Sequence, residues 1–129
     1  MSEAKATILV IDDQPGIRRL LTEVLAEEGY GVETAANGFE GIQKVKEAMP
    51  QLILMDMKMP GMDGIETLRE LKKMGQADKV IMMTAYGELE LVNQARELGA
   101  YAYITKPFDI IALCTIIREQ IESGAATSE

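Results

Sequence analysis

Apolar residues along this chain fall into short unbroken runs, separated by longer stretches where they recur at helical spacing. Residues 7–11, 31–34, 52–55, 80–83 and 101–104 form the runs and predict five strands. Between the first two, Ile17, Leu20, Leu21, Val24 and Leu25 predict a helix that opens at Pro15, where a missing N–H costs little, and closes at Gly29. Asn37-Gly38 opens a second helix with Phe39, Ile42, Val45 and Met49 on one face, stopped by Pro50. Ile65, Leu68 and Leu71 mark a third, ending near Gly75, and a fourth spans about residues 88–98 with Gly99 as its stop. A fifth starts after Asp109, a good N-cap, with Ile110, Leu113, Cys114, Ile117 and Ile121 facing inward. Unbroken strand–helix alternation demands parallel strands with helices on both faces, joined by right-handed crossovers. The expectation is one α/β domain over residues 1–129, a doubly wound five-stranded sheet with its core at about 5–122 and a flexible tail at 123–129.

In an open α/β sheet, chemistry gathers at the carboxyl ends of the strands. The first strand ends on Asp12-Asp13, the third on Asp56 before a Pro/Gly-rich loop, the fourth on Thr84 and the fifth on Lys106. Clustered carboxylates repel, so something positive must sit among them. An all-oxygen site suits a hard ion such as Mg²⁺, with Mn²⁺ as an alternative, and Lys106 adds a second positive charge. A metal, a lysine and a hydroxyl donor around a carboxylate are the parts that phosphoryl transfer needs, and the carboxylate can be the nucleophile. Asp56 is the candidate nucleophile, with Thr84 and Lys106 placed to answer the new charge.

Composition narrows the field. A net charge of −8 argues against a nucleic-acid-binding face. With no histidine, the chain holds neither a histidine base or ligand nor a phosphohistidine of its own. The single cysteine, Cys114, fits a reducing cytoplasm, and no stretch approaches a membrane span or a signal peptide. The nine methionines read as core filler.

Asp12-Asp13, Asp56, Thr84-Ala85 and Lys106-Pro107, each at a strand end, resemble the receiver domain of two-component response regulators over residues 5–122. Residues 12–18, 35–38, 56–66, 83–90 and 106–110 look most like the single-domain regulators of sporulation phosphorelays. Pro15 and Tyr103 depart from that group, which has an aromatic and a histidine there. The resemblance implies sheet order 2-1-3-4-5 and a cis Lys106-Pro107 bond. It also implies an Asp56 that accepts a phosphoryl group from a sensor histidine kinase. Mg²⁺ would be held by Asp13, Asp56 and the Lys58 backbone carbonyl, with Asp12 assisting through water. Thr84 and Lys106 would contact the phosphoryl oxygens, with Thr84 and Tyr103 as a switch pair. The group would pass on to a histidine phosphotransferase, and an aspartyl-phosphate phosphatase is a further expected partner.

An apolar docking patch around Asp56 is expected from Gln14, Gly16, Ile17, Leu20, Pro107 and Phe108. The expected product is a cytoplasmic phosphocarrier that takes part in its own transfer and slow autodephosphorylation rather than a turnover enzyme. It is expected to be a monomer, with Ile111 and Ile116 permitting a weak dimer. Lys58 and Tyr86 are expected to shield the acyl phosphate from water. The main rival is a chemotaxis-like regulator that binds a target allosterically, which Tyr103 favours. A true phosphatase using an aspartyl-phosphate intermediate would want a second acid at position 58, where this chain has lysine, and a flavin site would want a phosphate loop where Asp12-Asp13 stand.

Overall fold

The structure, a computed structural model, describes residues 6–85 and 88–127, with side-chain burial through residue 123. Five strands, β1 (Thr7–Ile11), β2 (Gly31–Ala35), β3 (Leu52–Asp56), β4 (Val80–Thr84) and β5 (Ala102–Thr105), alternate with five helices. The helices are α1 (Pro15–Glu27), α2 (Gly38–Ala48), α3 (Gly64–Lys73), α4 (Leu89–Glu97) and α5 (Ile110–Thr127). All strand pairs are parallel, in the order β2-β1-β3-β4-β5. The alternating faces of the strands divide the core in two. Leu9, Ile11, Ile53, Met55, Val80 and Met82 pack with Val45, Leu68, Leu71 and Val92 from α2, α3 and α4. Ile8, Val10, Leu52, Leu54, Ile81 and Met83 pack with Leu21, Leu25, Leu113 and Ile117 from α1 and α5. Every residue of β3 and β4 is buried, as expected of central strands covered on both faces.

The apolar pattern misplaces three surfaces. On α2, Phe39 and Met49 are exposed, and the buried positions are Gly38, Gly41 and Val45. Glycine makes that close approach feasible, because a Cβ on Gly41 would collide with the Ile11 side chain. Met49 leaves the helix with a left-handed backbone (φ 47°) and so turns away from the sheet. Tyr101 lies outside β5 and is exposed. On α5, Ile116 packs against the core, leaving Ile111 as the outward isoleucine of the expected dimer pair. Helix α5 also runs through Thr127, beyond the expected start of the tail at residue 123, because Ala125 and Ala126 favour helix.

The turn after β3 is built tightly. Gly64 donates its N–H to the Met57 carbonyl at 2.9 Å, and a Cβ there would lie 2.7 Å from the Asp56 and Met57 carbonyl oxygens. Asp63 and Glu66 close a capping box on α3, worth about 1 kcal/mol at the Asp63 position. Together these contacts fix the exit of the chain from Asp56.

Candidate functional site

The register of β1 on β3 pairs Ile11 with Met55, so the next pair along is Asp12 beside Asp56. Both continue the alternation of Val10 and Leu54, which face the α1/α5 side of the core. Asp12 is fully buried and Asp56 is nearly so. One carboxylate oxygen from each of Asp12, Asp13 and Asp56 lies within 4.8 Å of the others. Lys106, immediately after β5, reaches across: its Nζ donates to Asp12 Oδ2 at 3.1 Å and to Asp56 Oδ1 at 3.2 Å. Its own backbone N–H is held by the Thr84 carbonyl at 2.6 Å. The Lys106-Pro107 peptide bond is cis.

Burial, reinforced by the Asp12 charge, pushes the Asp56 carboxyl up to about 6 against the pull of Lys106. Burial alone would lower the Lys106 ammonium, but the two carboxylates it touches outweigh that and raise it. A single lysine therefore leaves this acidic cluster short of positive charge. Among the described residues, three convergent carboxylates with no histidine or cysteine beside them fit a hard oxygen-seeking dication.

Thr84 is buried at the end of β4, in register with Thr105, and its hydroxyl donates weakly to the Ile104 carbonyl at 3.4 Å. Tyr103 is half exposed and lines, with Thr84, Ala85, Glu88, Leu89, Val92 and Thr105, an open cleft of about 370 Å³. Thr84 and Tyr103 thus share one cleft. Lys58 is exposed, its ammonium 3.4 Å from Glu88 Oε2. Tyr86 lies outside the described residues.

The apolar patch is a groove of about 390 Å³ lined by Ile17, Leu20, Lys106, Pro107, Phe108 and Ile110. Lys106 joins it to the acidic cluster. Gln14 and Gly16 are exposed but do not line it. Gln14 instead donates its backbone N–H to Asp12 Oδ1 at 2.9 Å, a local turn that orients the carboxylate. Leu20 points outward while its neighbour Leu21 takes the core position.

Two contributors escape the sequence pattern. Arg18 donates from Nη1 to the Asp12 carbonyl at 2.7 Å, a contact foreshadowed only by helical spacing from the strand end. Glu88 accepts the Ala85 N–H at 2.7 Å while pairing with Lys58, and nothing in the sequence marks it.

Among the described residues no helix is long and apolar enough to cross a membrane. The family model for the response regulator receiver domain matches residues 8–118. The chain is 52% identical over 103 residues to Sporulation initiation phosphotransferase F of Bacillus subtilis (strain 168), covering 80% of this chain and 83% of that protein. It is 42% identical over 101 residues to Chemotaxis protein CheY of Halobacterium salinarum, covering 78% of this chain and 84% of the relative. Other relatives are longer: the chain spans 26% of the Escherichia coli Regulatory protein AtoC, at 36% identity over 95% of its own length. A solved receiver domain protein from Clostridium thermocellum superposes with a TM-score of 0.89 at 33% identity, covering 95% of this chain and 98% of that one. With this fold, strand order and family match, the chain belongs to the response regulator receiver domain family.

Proposed function

We propose that this receiver domain accepts a phosphoryl group on Asp56 from a kinase phosphohistidine and passes it to a histidine of a separate phosphotransferase. The observation that carries the first half is Lys106 Nζ lying within hydrogen-bond reach of both Asp12 and Asp56 at one sheet edge. In the transfer, an Asp56 carboxylate oxygen forms the new P–O bond. The donor imidazole leaves with the electrons of the broken P–N bond and takes up a proton from water. Lys106 follows the charge onto the phosphoryl oxygens, and the Thr84 hydroxyl exchanges its weak contact with Ile104 for one of them. Asp12, Asp13, Asp56 and the Lys58 carbonyl are the groups that would hold Mg²⁺. When bound, the ion offsets the carboxylate charge and that of the transferring group.

The relay half rests on the groove beside Lys106. A histidine-bearing helix needs an apolar seat next to the reacting carboxylate, and Ile17, Leu20, Pro107 and Phe108 supply one. The likeness to Sporulation initiation phosphotransferase F supports the same reading. The competing reading, an allosteric binder, is favoured by Tyr103 in the cleft with Thr84 and by the likeness to Chemotaxis protein CheY.

The test is a chase experiment. The domain is loaded with labelled phosphate from acetyl phosphate and Mg²⁺, then mixed with a histidine phosphotransferase from a spore-forming bacterium. We expect label on the histidine within minutes, slowed about tenfold or more by Leu20→Asp, which places a charge in the apolar seat. Label that stays on the domain until it hydrolyses would favour the allosteric reading.

A further inference from the structure

Glu88 is a charged residue with little access to water: its side chain is 9% exposed. Its two oxygens serve different loops. Oε1 accepts the N–H of Ala85 at 2.7 Å, and Oε2 lies 3.4 Å from Lys58 Nζ. One carboxylate thereby ties the loop after β3 to the loop after β4, at the sheet edge where β3 ends on Asp56. The two donors it engages lie next to Thr84 and two residues beyond Asp56. The register that pairs Asp56 with Met83 brings those strand ends side by side. An anion attached to Asp56 would add negative charge at this same edge of the sheet.

We propose that Glu88 is a positioning residue that occupies the Ala85 amide and the Lys58 ammonium in the unphosphorylated domain and yields both to a phosphoryl group on Asp56. The inference rests on the reading of Asp56 as phosphoacceptor. A phosphoryl group brings about −1.5 to −2 charges and three acceptor oxygens, against the single charge of Glu88. Release is cheap on the lysine side, because Lys58 is 71% exposed and such pairs contribute little. Glu88 therefore competes with the loaded state, and removing its charge favours loading.

Beryllofluoride, the tetrahedral mimic of a phosphoryl group on a carboxylate, provides the test in the presence of Mg²⁺. We expect Glu88→Gln to bind the mimic about three- to fivefold more tightly than the wild type, the size set by a weak ion pair. Glu88→Ala, which frees the amide as well, should bind at least as tightly as Glu88→Gln. In a Lys58→Met background, which keeps the Lys58 carbonyl, the gain from Glu88→Gln should fall below about twofold, as coupling through the lysine requires. A merely structural Glu88 would give weaker or unchanged binding on substitution, and that result overturns the proposal. So does an equal gain with and without Lys58. Wild-type protein that takes up no beryllofluoride would overturn the phosphoacceptor reading itself, a result distinct from unchanged affinity in Glu88→Gln.

Discussion

Lys106→Met should cut the rate of Asp56 loading from acetyl phosphate by about 100- to 1,000-fold, the usual cost of losing one donor that faces developing negative charge. The same change should destabilise the metal-free fold. Lys106 holds the fully buried Asp12 and the nearly buried Asp56 at 3.1 and 3.2 Å. Methionine keeps much of the volume but leaves two facing carboxylates without the ammonium that bridges them, and we expect a loss of about 2–4 kcal/mol. Added Mg²⁺ should restore part of this stability, because a dication answers the same charge. Urea unfolding with and without Mg²⁺ measures the stability terms, and labelled loading measures the rate. A Lys106→Met protein as stable as the wild type in chelator would show that the lysine is not the counter-charge of this cluster.

Asp56→Asn should act in the opposite direction on stability while abolishing loading. Burial and the Asp12 charge raise the Asp56 carboxyl from 3.8 to about 6, so the folded protein disfavours the ionised form. At pH 7 the wild type carries that cost and asparagine does not, which gives the variant about 1–3 kcal/mol of extra stability without metal. The sign follows from proton counting. Between about pH 4 and 6 the folded state binds more protons than the unfolded state, so wild-type stability rises as the pH falls. Below the unfolded value near 3.8 both states are protonated and the gap between the two proteins closes. Saturating Mg²⁺ should narrow or reverse the gap at pH 7, since it binds the wild type more tightly and stabilises it by mass action. An Asp56→Asn protein less stable than the wild type at pH 7 in chelator would contradict this electrostatic picture.

These effects trace back to residues whose placement is legible in the sequence. Apolar runs closed by Asp12, Asp56, Thr84 and Lys106 predict four strand ends, and parallel topology puts all four on one edge. The described structure brings Asp12, Asp56 and Lys106 into hydrogen-bonded contact there. What the pattern could not supply depends on which side of a helix meets the sheet. Leu20 and Leu21 are adjacent and equally apolar, yet Leu21 is buried and Leu20 is not. Phe39 satisfies a helical period but loses the inner face to Gly38 and Gly41, since a Cβ on Gly38 would run into Thr67 of α3 and one on Gly41 into Ile11 of β1. Glu88 was invisible for another reason. Its pairing with Lys58 joins two loops far apart in the chain, and only the packed fold makes them neighbours.

The most direct measurement is the location of the phosphoryl group after incubation with acetyl phosphate and Mg²⁺. Borohydride reduction converts an aspartyl phosphate to homoserine, and peptide mass spectrometry reads the position. Homoserine is expected at residue 56, dependent on Mg²⁺ and absent from Asp56→Asn. Homoserine at another aspartate, or none at all in the folded, metal-loaded wild type, would contradict it.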